Sequence, residues 1–136
     1  MAKMSQEVQD AFNGKCSLVL ATSTPDGQPN AAPIGMKKVI DDETVYISDQ
    51  FFNKTLANLK VNDKVSVAFW GDDGAYQIHG TAKYVTDGEE FAELKKWADA
   101  GFAAMGSPFV AKGGCFIHVD AVYTSQPGPD AGKQLA

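Results

Sequence analysis

Not one arginine occurs among the 136 residues, so all 12 basic side chains are lysines. Arginine is the usual fork for phosphate and base-edge recognition, and its absence argues against a nucleic-acid binder. The formal net charge of −5 says the same, because such a surface repels a polyanion. Cysteine and histidine are scarce, with two of each and no metal-ligand spacing, so no metal site is expected. Cys16 and Cys115 lie far apart, each in an apolar strand-like run, and read as small buried thiols rather than a disulfide. No run approaches the roughly 18 apolar residues of a membrane span. The segment Met1–Gln9 is polar and lacks the apolar centre of a signal peptide, so the expected address is the cytoplasm, away from membranes.

What is present suits a soluble globular chain, with 44% hydrophobic and 21% charged residues. A single domain is expected over residues 1–136, with an N-terminal helix inside 1–14 and a tail over 126–136. There is no internal repeat and no linker-like stretch. Gln6–Asn13 reads as a short helix with Val8, Ala11 and Phe12 on one face and Gly14 placed to stop it. Cys16–Thr22 is a strand, Pro25-Asp26-Gly27 a turn, and Asn30–Ile34 the return strand of a hairpin. Gly35 interrupts, and Lys37–Ile40 is either a third strand or a bent extension of the second. A glycine there marks a bulge or a close approach to the backbone.

After the acidic turn Asp41-Asp42-Glu43, the strand Thr44–Ser48 leads into a short helix behind an expected cap at Asn53. Lys64–Trp70 and Ala75–Thr86 form a second hairpin around Gly71–Gly74. Thr86 or Asp87 is the expected cap of a longer helix whose apolar stripe runs through Phe91, Leu94, Trp97 and Ala98. Ala100–Ala111 carries glycines and a proline and reads as a frayed helix end or a loop. Gly113–Tyr123 is the last strand, and the tail from Gln126 is rich in turns and expected along the surface or over a neighbour. Hairpin-linked strands that outnumber helices predict a mainly β, antiparallel small barrel with helices outside.

The stretch Tyr46–Asn58 holds the best functional signal. Lys54 and Thr55 fall in the first turn of the short helix, where free amide N–H groups and partial positive charge disfavour a lysine. A docked anion removes that conflict, since the amides, the Thr55 hydroxyl and the Lys54 ammonium would converge on one phosphate. The plainer alternative is a solvated lysine at a small dipole cost. No acid–base pair or nucleophile stands out, so no catalytic residue is named. His79 and His118 read as structural or exposed, and Asp72 and Asp73 as turn residues.

The succession Ser48-Asp49, Asn53-Lys54-Thr55, Asn58-Leu59, Asn62 and Val65–Trp70, then Tyr76–Ala82 and Thr86–Phe91, resembles the FMN-binding split-barrel family that includes pyridoxamine 5'-phosphate oxidase. It looks nearest the small FMN-binding proteins of anaerobes. The resemblance covers roughly Cys16 to Gln126 and implies a six-stranded split barrel with flanking short helices. It also implies a homodimer with FMN at the subunit interface. Carried over, Lys54 and Thr55 would hold the FMN phosphate, braced by Asn58. Ala32, Pro33, Ile34, Gly35 and Met36 would lay their backbone along the isoalloxazine ring. Ser48, Asp49 and Gln50 would hold the ribityl chain or ring edge, and Gln77 would face the flavin, often from the other subunit. Phe51, Phe52 and Trp70 read as core or dimer contacts, with flanking of the flavin as the other option for the two phenylalanines.

The lack of arginine departs from true pyridoxamine phosphate oxidases, as does the missing C-terminal segment with its substrate-binding arginine. That activity is therefore not expected. Three classes remain open. The preferred one is a dimeric FMN flavoprotein that passes electrons or reduces a small acceptor, fed by NAD(P)H or a redox partner protein. The second is a non-catalytic barrel for deazaflavin, haem or a flavin in transit, and the third an interaction module without a cofactor.

Overall fold

The computed structural model describes residues 2–136. Helix α1 (Gln6–Asn13) is followed by β1 (Cys16–Ser23), β2 (Pro29–Pro33), β3 (Lys37–Asp41), β4 (Thr44–Asp49), helix α2 (Lys54–Leu59), β5 (Lys64–Gly71), β6 (Gly74–Val85), helix α3 (Glu89–Ala104) and β7 (Gly113–Thr124). The strands form one antiparallel seven-stranded sheet in the order β2-β1-β5-β6-β7-β4-β3.

That order forces a barrel. Laid flat, the two edge strands would stand about 29 Å apart at the usual strand spacing. Yet β2 and β3 are joined only by Ile34, Gly35 and Met36, and the four steps from Pro33 to Lys37 reach at most about 14 Å. The sheet must therefore curl until its edges meet at Gly35. Both ladders run into the bend: Ile34 N–H donates to Leu18 O and Ser48 N–H to Met36 O, each at 3.0 Å. Counting β2 and β3 as one bent strand gives the six expected strands; the structure separates them at Gly35.

The inward faces alternate as β periodicity demands. Leu18 and Leu20, Val45 and Ile47, Val65, Val67 and Phe69, Ile78, and Cys115, Ile117 and Val119 fill one core. Helix α1 plugs an end of the barrel, with Phe12 fully buried edge-on to Phe69 at 5.2 Å between ring centres. Ser5 caps it, its hydroxyl accepting from Val8 N–H at 3.3 Å. Beneath β6 and β7 the ladder slips at His79/Gly80, and a Cβ on Gly80 would collide with the Ile117 side chain and the His118 carbonyl. The bulge thus needs glycine there.

Two local expectations are corrected. Asn53 precedes α2 but makes no side-chain cap, because its φ of −136° and ψ of −86° turn it out of capping geometry. Neither Thr86 nor Asp87 stands at the cap of α3; Gly88 holds that position at φ +98°, a conformation that favours glycine, and no side-chain bond closes the end. The exposed tail turns back over the free part of β7, where Leu135 N–H donates to Val122 O at 2.7 Å and Thr124 N–H to Lys133 O at 3.0 Å.

Candidate functional site

The bend at Gly35 opens on a cleft of about 360 Å³, inside the usual small-ligand range of roughly 300–1,000 Å³. Ala32, Pro33, Ile34 and Gly35 form one wall, Ser48 and Gln50 the floor, and Thr55 the end nearest α2. Phe51, Phe52, Phe102 and Phe109 supply the opposite side. Phe109 stacks edge-on against Phe51 at 4.7 Å and against Phe102 at 5.6 Å. Phe51 and Phe109 are nonetheless 70% and 43% exposed, so these rings stand with faces open to a planar ligand. Gly35 adds to the room, since a Cβ there would meet nothing within 4 Å.

Each polar wall residue is held from behind. Asn30 Nδ2 donates to Thr55 Oγ1 at 3.1 Å, and Asn58 Nδ2 to Thr22 Oγ1 at 3.0 Å. These bonds tie α2 onto β1 and β2 and fix the first turn against the cleft. Gln50 Nε2 donates to Ser48 Oγ at 2.7 Å. With no side-chain cap from Asn53, the leading N–H groups of α2 are left for water or a ligand. Lys54 beside them is exposed.

The sequence-derived set thus divides. Ala32, Pro33, Ile34, Gly35, Ser48, Gln50 and Thr55 converge on the cleft. Met36 turns away and packs toward Gly101 of α3. Asn58 sits behind the helix as a brace. Gln77 lies half-buried on β6, opposite Ala68 and Tyr123, away from this chain's own cleft. Asp49 is fully buried and faces inward: Tyr84 donates to its carboxylate at 2.5 Å and Phe52 N–H at 2.8 Å. Tyr84 reaches it across Gly113, where any Cβ would overlap the phenol. Asp49 therefore fastens the loop that carries Phe51 and Phe52. Burial, then the Asp49 hydrogen bond and charge, push the Tyr84 phenol well above its ordinary value. Burial and the same charge push the Cys115 thiol up to about 12. Both stay protonated near neutrality, so neither is poised as a base or a nucleophile there.

Phe102 and Phe109 were missed by sequence reading, because Ala100–Ala111 mixes glycine, proline and apolar residues without a period. The stretch becomes a wall through Asp99 of α3, which accepts from Ala111 N–H at 2.7 Å and pairs with Lys95 at 2.6 Å. Burial opposes the Asp99 charge, but the Lys95 and Ala111 hydrogen bonds and the Lys95 charge hold its carboxyl below the usual range. A lowered folded-state pKa adds stability above the unfolded value, near 3.9, that disappears as pH falls through the folded one. Asp99→Asn is thus expected to melt earlier than wild type at pH 7, with the gap shrinking as the pH drops below about 4. Melting curves from pH 7 to pH 2.5 check this, and a gap independent of pH would contradict it.

Among the described residues, no ionisable side chain of this chain lines the cleft. The sequence model of the family described as pyridoxamine 5'-phosphate oxidase matches residues 4–123. An uncharacterised protein of Methanocaldococcus jannaschii is 34% identical across 100% of this chain and 90% of its own length. The crystal structure of HupZ from Group A Streptococcus shares 30% identity at a TM-score of 0.77, covering 95% of this chain and 99% of that one. An FMN-binding protein from Syntrophomonas wolfei has the same fold at 20% identity and TM-score 0.77, covering 90% of this chain and 86% of that one. So has HutZ, the haem storage protein of Vibrio cholerae, at 18% identity and TM-score 0.66, covering 90% and 95%. With its barrel split at Gly35 and the family match running over nearly its whole length, this chain belongs to the pyridoxamine 5'-phosphate oxidase-like family of split barrels.

Proposed function

We propose that the protein is an FMN-binding flavoprotein that acts as a homodimer and uses the flavin to pass electrons or reduce a small acceptor. The observation that carries this reading is the convergence of the Gly35 bend, Ser48, Gln50 and Thr55 around one aromatic-walled cleft. A flat apolar ring fits between the Ala32–Gly35 backbone and the phenylalanines. A phosphate fits the uncapped start of α2, with the Thr55 hydroxyl and Lys54 as partners. Bound FMN would supply the redox chemistry, and the chain would contribute binding, orientation and exclusion of water. Gln77 lies on an outer sheet face away from the chain's own cleft, which suits contact with a partner's flavin. Neither the electron donor, NAD(P)H or a redox protein, nor the acceptor is marked by a motif.

Haem is the second reading, raised by the fold shared with a haem storage protein. It is less favoured because haem iron takes histidine, cysteine, methionine or tyrosine, and none of these lines the cleft. A deazaflavin would offer the same ring with a longer anionic tail, for which Lys54 is a slender counter-charge.

Lys54→Ala removes the one cation assigned to the phosphate. FMN affinity is expected to fall roughly five- to tenfold, the worth of an exposed charge-assisted hydrogen bond. Riboflavin, which has no phosphate, should bind both forms alike. Fluorescence titration with the two flavins checks this, and unchanged FMN affinity would count against the phosphate site.

A further inference from the structure

Tyr46 lies on the outer face of β4, beneath α3, and is fully buried. Its hydroxyl is the one buried side-chain polar atom among the described residues without a hydrogen-bond partner. Native structures rarely leave such an atom alone, because it has given up water and received nothing in exchange. A phenylalanine would fill the same space without that penalty, so the oxygen calls for a reason.

Its surroundings supply one. The hydroxyl sits over Gly114, where any side chain would overlap it, and Gly114 is paired directly opposite Ser48. Burial pushes the phenol up to about 12, the neighbouring Ser48 hydroxyl offsets this only in part, and no hydrogen bond closes between the two. Just beyond the end of β4, Gln50 Nε2 donates to Ser48 Oγ. Residues 46, 48 and 50 thus form a polar line leading from beneath α3 into the cleft, with Ser48 and Gln50 at its open end. A serine oxygen carries two acceptor sites and one proton. With Gln50 on one site, a bond from Tyr46 would fill the other and leave the proton to be donated into the cleft.

We propose that Tyr46 is a positioning residue for the cleft ligand, closing its hydrogen bond onto Ser48 when the serine donates its proton to a carbonyl oxygen or ring nitrogen at the edge of a bound heterocycle. The inference rests on the flavin reading and deepens it. Ser48 recognises an acceptor at the ring edge, and Tyr46 fixes the direction in which Ser48 donates. The cleft thereby favours heterocycles that bear such an edge over planar ligands that lack one.

The test compares wild type, Tyr46→Phe, Ser48→Ala and the double variant by FMN fluorescence titration, with melting of the ligand-free proteins alongside. Tyr46→Phe is expected to melt no lower than wild type without ligand, because it removes only an unpaired oxygen. Its FMN affinity should still fall about tenfold, the scale of one hydrogen bond. In the Ser48→Ala background the same change should cost nothing more, since its partner has gone. Independent, additive losses, an unchanged affinity in Tyr46→Phe, or a lowered ligand-free melting temperature would each overturn the positioning role. Failure of wild type itself to take up FMN would instead overturn the flavin reading and the inference with it.

Discussion

Tyr84→Phe is expected to cost about 2–3 kcal/mol of folding stability, although it deletes a single oxygen. That phenol is one of two groups among the described residues that donate to the Asp49 carboxylate, which is fully buried. A hydrogen bond to a charged group contributes about 1.5–3 kcal/mol, and a buried charge that loses a partner retains the cost of its lost water. Against a typical domain stability of about 5–15 kcal/mol, the loss is large. Urea unfolding should show a lower midpoint with an unchanged slope. The variant should also bind flavin less tightly, because Asp49 is what holds Phe52 N–H and with it the loop bearing Phe51. A loss below about 0.5 kcal/mol, the size of an ordinary surface change, would mean that Asp49 does not depend on Tyr84.

Gly35→Phe is expected to do the reverse, sparing the fold and abolishing binding. Gly35 is not held in a left-handed conformation, and a Cβ there meets nothing within 4 Å, so a side chain can leave the backbone there without a clash. Its ring would take space at the mouth of the cleft that a flat ligand needs. The ligand-free melting temperature should stay near that of wild type, while FMN affinity falls at least about a hundredfold, the scale of losing a central aromatic contact. Calorimetric titration with a melting control reads both. Full affinity in this variant would place the ligand elsewhere.

Much of the architecture was legible because it rests on local signals. The helix Gln6–Asn13 follows from its apolar spacing and the strand Thr44–Ser48 from its alternation; Gly35 stood out as a break inside a strand. Long-range partners decided what was not legible. Ser48 and Asp49 are adjacent in sequence, yet the pleat sends one to the cleft and the other inward, where Tyr84 waits 35 residues away. No pattern near Asp49 announces that partner. Phe109 is likewise carried to the cleft by the bond between Ala111 and Asp99, a tertiary contact inside an aperiodic stretch. The cap at Asn53 was a sound local expectation that the backbone angles of the loop overrule.

The most direct measurement is an equilibrium titration of the purified, ligand-free protein with FMN, followed by absorption and flavin fluorescence, with Gly35→Phe run beside it. Saturable binding of one FMN per chain, with altered flavin bands and loss of binding in Gly35→Phe, is the predicted result. No FMN uptake by the wild-type chain at saturating flavin would contradict the account at its centre.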